Sequence, residues 1–429
     1  MPTWLGVLEA LFHDKHFTDS RPTVFLGTLP FSDTEYKIGL VVDSNPSFHV
    51  LMLLTIFVQI ILLQCFSIVI WYGVIRQASR ARAIVCGLGL IIPMSFVLPI
   101  VILNYWDVRN TSVRFGFILL PLMIPFKCCE AMFGSHNKVA DLHRQSLTAY
   151  RYYAGFPQLP IVNEKGVVPF KSPDLVLVIK QGFFWLFVTS VIYSILEPYN
   201  FRPFPHDTTL DDSFLPTLHP GRMYNSFTQC CLFFSTLIFA MKTTGLLCML
   251  TSGYHAVDHF VFDRQPLWCS TSPRDFWGSR WNTLIHHHLK VGVYKPVRKF
   301  GWSTMVATLA TFLASALIHE FISYVQFFRT DAQILEDAPY YAAGAWGKHL
   351  VFFGWNALLI LLQDVVQKHV PQLERWTESW PGWLKSHLVI LLSMPVGHCF
   401  MDDITDGGYF RHLRPVIPVI VVKAMTNAA

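Results

Sequence analysis

The sequence predicts an all-α fold, a polytopic integral membrane helical bundle of about 8 transmembrane helices. Three observations lead there. Of the 429 residues, 52% are hydrophobic and only 14% are charged, where a soluble domain carries about a quarter charged residues. The apolar residues gather into runs long enough to cross a bilayer, which takes about 20 of them in a helix. The segments between these runs alternate between basic and acidic.

Taken in order, the chain opens with a polar segment, 1–48, and continues as one multi-span membrane domain, 49–429. Spans are expected at 49–72, 83–104, 114–127, 180–196, 225–250, 303–325, 347–366 and 386–401. All are assigned as helices, because an open sheet edge cannot satisfy its backbone in lipid. The third and fourth are short, and "PVIPVIVVKAM" from Pro415 is too short to span. Arg76, Arg80 and Arg82 follow the first span, and further Lys and Arg fill 127–180 and 253–302. Asp207, Asp211 and Asp212 mark one acidic connection, and Asp331, Glu336 and Asp337 another. The positive-inside rule puts the basic loops in the cytosol and both termini, with segment 1–48, on the other side. The sequon Asn110-Thr111-Ser112 then lies on the non-cytosolic side as well. No basic n-region with a cleavage site opens the chain, so no cleavable signal peptide is expected. A net charge of +5 suits basic loops against anionic lipid and does not call for nucleic acid as a partner. The nine cysteines show no disulfide framework and read as reduced packing residues.

The sixth span contains "ASALIHEFI", Ala314 to Ile322. Placing a charged group there costs about 2.5–3.5 kcal/mol or more, so an ionisable residue at that depth is a functional candidate. His319 also titrates in the range a general base needs. The plain alternative is a neutral histidine bonded to a neighbouring helix. Ala314, Ser315 and Ala316 leave room for close helix approach or a narrow cavity. Glu320 points about 100° away from His319 and is not expected as its direct partner. Upstream, "SPRDFWGSRWNTLIHHHLKVGVYKPVR" (Ser272 to Arg298) places Trp277, Trp281 and Asn282 beside Arg274 and Arg280. Aromatics and arginines at a membrane boundary are ordinary anchors. The same set would also suit the phosphates of an anionic ligand.

"DFWGSRWN", "VYKPVR" and "FLASALIHEFI", in that order, with the histidine about 37 residues after the asparagine, resemble the wax-synthase branch of the membrane-bound O-acyltransferases. The match covers roughly 270–325. The resemblance implies an acyl-CoA-dependent O-acyltransferase with His319 as catalytic base and Asn282 as the second catalytic polar residue. Trp277, Arg280, Trp281, Tyr294 and Glu320 are the expected substrate-binding residues. It implies no bound cofactor and no metal; acyl-CoA, in this chain acetyl-CoA, is the co-substrate, and a lipophilic alcohol in the bilayer the partner. The family includes fatty-alcohol acylation and, in fungi, acetylation of terpenoid-type secondary metabolites. This chain carries material beyond a minimal wax synthase at its N-terminus, in 127–180 and in 197–224, which favours the second; long-chain wax-ester synthesis stays open as the alternative. Residence in the endoplasmic reticulum follows from the family.

Three other signals compete. "HAVDH" (His255, His259) and "HHH" (His286, His287, His288) are similar to fragments of di-iron histidine boxes, but a third box is missing, and solvated or interface histidines are expected. "DDITD" (Asp402, Asp403, Asp406) is similar to a Mg²⁺-diphosphate motif, but lacks a second copy and reads as an acidic loop. Gln59, Gln64, Lys242 and Asp364 are polar residues in or beside spans that would line a transporter path, yet no inverted repeat accompanies them.

Overall fold

The computed structural model describes residues 23–31, 34–41, 46–106, 108, 111–134, 145–155, 175–204, 214–252, 267–327, 346–413 and 419–425. Among them are 8 helices long and apolar enough to cross a membrane. They are α1 (Leu53–Ile75), α2 (Arg80–Tyr105), α3 (Val113–Phe133), α4 (Val176–Tyr199), α5 (Pro220–Leu246), α6 (Thr304–Phe327), α7 (Lys348–His369) and α8 (Gly382–Asp406). Each coincides with an expected span. The third and fourth are full length, because their charged residues are absorbed rather than terminal. Lys127 in α3 sits 3.6 Å from the centre of the Tyr153 ring. The Tyr153 hydroxyl donates to both carboxylate oxygens of Glu130 at 2.9 and 3.0 Å. A cation over an aromatic face and a paired carboxylate are how such groups stay buried.

The helices are two-faced. On α6, Met305, Leu309, Leu313 and Leu317 recur every fourth residue and are exposed, as a lipid-facing stripe must be. Thr308, Thr311, Ser315 and His319 lie on another side of the same helix and face a cavity. Inside, α5, α7 and α8 close around an aromatic core in which Phe352, Phe353, Phe400 and Phe410 are buried.

Beside the bundle lies a three-stranded antiparallel sheet the sequence reading did not foresee, formed by β1 (Thr23–Phe31), β2 (Thr34–Val41) and β3 (Val419–Met425). β2 is central, pairing Thr34 with Phe31 on one side and Glu35 with Met425 on the other. The segment judged too short to span is thus a strand, as its Val and Ile content favours. The pairing joins the two ends of the chain on one side of the bundle, which an even number of spans requires.

The polar residues considered for a transport path separate onto different contacts. Gln64 donates to the Gly155 carbonyl at 2.8 Å, Lys242 donates to Gln181 at 3.0 Å, and Asp364 pairs with Arg274. Gln59 is buried. The "DDITD" residues are not a loop. They belong to the helix Gly397–Asp406, where Asp402 pairs with Arg222 at 3.2 Å, Asp403 with Lys348 at 3.2 Å and Asp406 with Arg202 at 2.9 Å. Arginine and lysine, not a metal, balance these carboxylates. His255, His259, Asn110, Asp207, Asp211, Asp212, Asp331, Glu336 and Asp337 lie outside the described residues.

Candidate active site

Between α5 and α6 the chain abandons the spanning pattern and folds into short turns. Ser272 accepts the Asp275 N–H and starts the turn Pro273–Asp275. A π-helical turn follows at Phe276–Arg280, then the helix Thr283–Leu289, then a second π turn at Lys290–Tyr294. π turns re-aim side chains and are frequent at functional sites. Asn282 sits at the junction in the left-handed region, with φ 37° and ψ 64°, a conformation asparagine tolerates better than most residues. Its Oδ1 accepts the Ile285 N–H at 3.2 Å and caps the helix. Gly292 lets the second π turn lie on α3: a Cβ there would meet the Phe126 backbone at 2.8 Å. Any side chain at 292 would push the turn off α3.

These turns and the inner faces of α6 and α7 enclose a cavity of about 450 Å³. Trp277, Trp281, Asn282, Tyr294 and His319, all singled out from sequence, line it together. Arg274 and Lys290 also line it and are solvent-exposed or partly so, marking the rim, where Asp364 holds the Arg274 guanidinium. From the rim the cavity descends along Thr308, Thr311 and Ser315 to His319. The stretch from Thr308 to His319 covers about 16 Å at 1.5 Å per residue. A histidine placed deep in a span is therefore reachable from the basic face.

At the foot, His319 Nδ1 lies 2.7 Å from the Ser315 carbonyl oxygen. A carbonyl only accepts, so Nδ1 carries the proton and Nε2 keeps its lone pair. Trp277 walls the cavity. Its indole N–H donates to Asn356 Oδ1 at 3.1 Å, an atom that also accepts the Ser393 hydroxyl at 2.8 Å. The loop, α7 and α8 are thereby tied at one point. Trp281 stacks on Phe276 at 5.7 Å and 19°.

Two expected substrate-binding residues stand outside this cavity. Glu320 is fully buried on another side of α6. One carboxylate oxygen accepts the N–H groups of Gly347, His349 and Leu350 at 2.8, 2.9 and 3.3 Å. It caps α7 and neutralises the positive end of that helix. Arg280 turns away and donates from Nε to Asp275 at 2.7 Å. Sequence spacing places both near the site but cannot tell which way they face.

The "HHH" run is not solvated. His288 is fully buried, and His286 lines the cavity. Burial, then the Lys290 charge, pushes His286 down to about 4. Burial, then chiefly Lys127, pushes His287 down to about 3, and burial with Lys127 and His287 holds His288 well below the usual range. All three are neutral at physiological pH. Among the described residues no group of three or more His, Cys, Asp or Glu is placed to hold a metal ion. His286, Lys290, Phe312 and Phe353 are cavity residues that the sequence reading did not single out. The polar side chains at 308, 311, 315 and 319 in an otherwise apolar span were the available signal for the descending face.

Fold and cavity together define a class: a polytopic membrane protein with an imidazole at the foot of a cavity sunk from a cationic rim. Residues 262–336, which contain most of this cavity, match the Membrane bound O-acyl transferase family. The chain is similar to "Probable long-chain-alcohol O-fatty-acyltransferase 9" of Arabidopsis thaliana, 33% identical over 29% of this chain and 33% of that protein. It is similar to the "Long-chain-alcohol O-fatty-acyltransferase" of Simmondsia chinensis, 38% identical over 12% of this chain and 16% of that protein. With "Diacylglycerol O-acyltransferase 1" of Dictyostelium discoideum it shares 25% identity over 22% of this chain and 13% of that protein. The aligned part spans about a third of the length of the first of these relatives.

Proposed function

We propose that this protein is an acyl-CoA-dependent O-acyltransferase that moves an acetyl group to the hydroxyl of a lipophilic, terpenoid-type alcohol. The observation that carries the proposal is the single cavity joining Arg274 and Lys290 at its rim to His319 at its foot. The match of 262–336 to an O-acyltransferase family supports it independently. Arg274 and Lys290 hold the CoA phosphates, and the pantetheine arm runs down the hydroxyl-lined face of α6. His319 Nε2 accepts the proton of the alcohol as its oxygen attacks the thioester carbonyl. The Nδ1–H bond to Ser315 fixes the tautomer that leaves Nε2 free. Asn282, whose Oδ1 is engaged by the backbone, has its amide N–H groups to orient the carbonyl or to meet the developing oxyanion. On collapse the C–S bond breaks, the ester leaves, and the proton on His319 passes to the CoA thiolate. The aromatic walls keep water from the thioester.

The acceptor arrives from the bilayer, and residence in the endoplasmic reticulum accompanies this reading. A second reading is long-chain wax-ester synthesis, favoured by the plant long-chain-alcohol acyltransferases among the similar proteins. Membranes containing the protein, supplied with labelled acetyl-CoA or palmitoyl-CoA and with fatty, sterol or terpenoid alcohols, decide between them. Label from acetyl-CoA in a terpenoid ester supports the first, label from palmitoyl-CoA in a wax ester the second, and label in neither contradicts acyl transfer.

A further inference from the structure

Below His319 the cavity stops against a wall of rings. Phe353 is the cavity residue of α7 at this depth, its ring 4.6 Å from His319. Phe400 lies behind, 5.6 Å from His319 and 6.2 Å from Phe353. Phe352 closes on Phe400 at 4.9 Å and on Phe353 at 5.2 Å. All three are buried, and Val396 and Cys399 pack behind them with no exposed surface. Interiors packed this way have no spare volume for even a few methylenes.

The direction of the donor makes this wall consequential. The pantetheine arm descends from the rim, so the thioester sulfur meets His319 first and the acyl chain points onward, away from the rim. Onward is Phe353. A methyl group fits against the ring, whereas each further methylene must displace it or turn aside. We infer that Phe353, backed by Phe400, is the acyl-length stop that restricts this site to acetyl-sized donors. The inference rests on the acyltransferase reading and assigns donor choice to one named ring.

The test is a donor ladder of acetyl-, butyryl-, octanoyl- and palmitoyl-CoA with one accepted alcohol, run on wild type, Phe353→Ala and Phe353→Leu. In wild type kcat/KM falls by about tenfold or more from acetyl to butyryl and again to octanoyl, the scale on which pockets resolve added methylenes. In Phe353→Ala the ratio of octanoyl to acetyl transfer rises by about tenfold or more, with Phe353→Leu between. The gain lies in a lower KM for the longer donor. Wild type that uses palmitoyl-CoA as well as acetyl-CoA overturns the stop and leaves acyl transfer standing. An unchanged ladder in a folded Phe353→Leu does the same. If Phe353→Ala fails to accumulate, the wild-type ladder and Phe353→Leu still decide. Transfer from no donor contradicts the proposed function and the stop with it.

Discussion

At His319 one hydrogen bond, Nδ1–H to the Ser315 carbonyl at 2.7 Å, decides which nitrogen faces the cavity and so gives the residue a direction as well as a place. On the proposed mechanism His319→Ala removes the base. Acyl transfer is expected to fall about 100-fold or more, within the 10²–10⁴ range of general-base contributions, while expression and elution on size exclusion stay those of wild type. Asn282→Ala removes the amide donors and also a cap in the left-handed region, so a loss of about tenfold or more is expected. Asn282→Asp keeps the cap and isolates the loss of the donors. Glu320→Ala has a different signature. It strips three N–H groups of α7 of their acceptor, costs on the order of 2 kcal/mol, and lowers the melting temperature of the purified protein. Glu320→Gln, which keeps an acceptor oxygen, loses less. At this scale His319 and Asn282 are legible in the sequence, because an imidazole in an apolar run and an amide among tryptophans break the local pattern. Phe353 is not, since one phenylalanine among 36 breaks none; only the packing around it sets it apart.

The helix Thr283–Leu289 and its flanking π turns make an acid-sensitive element. Its histidines are held neutral when folded, His286 at about 4 and His287 at about 3, against about 6.5 in the unfolded chain. Their native values lie below the unfolded one. As pH falls below about 6.5 the unfolded chain therefore takes up protons that the native protein refuses, and stability drops. Each fully differing histidine contributes about 1.4 kcal/mol per pH unit. Thermal unfolding in detergent is expected to be flat from pH 8 to about 6.5 and to fall steeply toward pH 4; His287→Phe should flatten that fall. A profile level down to pH 4 would show these side chains protonated in the native state. Gly292→Ala tests the neighbouring turn: the added methyl strikes the Phe126 backbone at 2.8 Å, and both stability and transfer should fall. The spanning helices are legible because lipid leaves the backbone one solution. The strands are harder, since β1 and β2 are short, mixed segments whose partner β3 lies at the far end of the chain.

Across the whole molecule, eight spans and a sheet joining both ends agree on one topology, termini together. The loop charges assign the cavity rim to the cytosol. Reporter tags at the two termini should therefore both be protected from a protease added to the cytosolic face of sealed microsomes, and a tag in 76–79 should be cleaved. Opposite behaviour of the termini would contradict the even span count. The reading also needs the cavity and the bilayer to supply different substrates, CoA from the basic face and alcohol from lipid, and it needs His319 where they meet. The most direct test is label transfer from acetyl-CoA to a lipophilic alcohol in microsomes bearing wild type or His319→Ala at matched abundance. The account expects a labelled ester with wild type and none above background with His319→Ala. Equal ester from both would show that His319 is not the base and that the cavity does some other work.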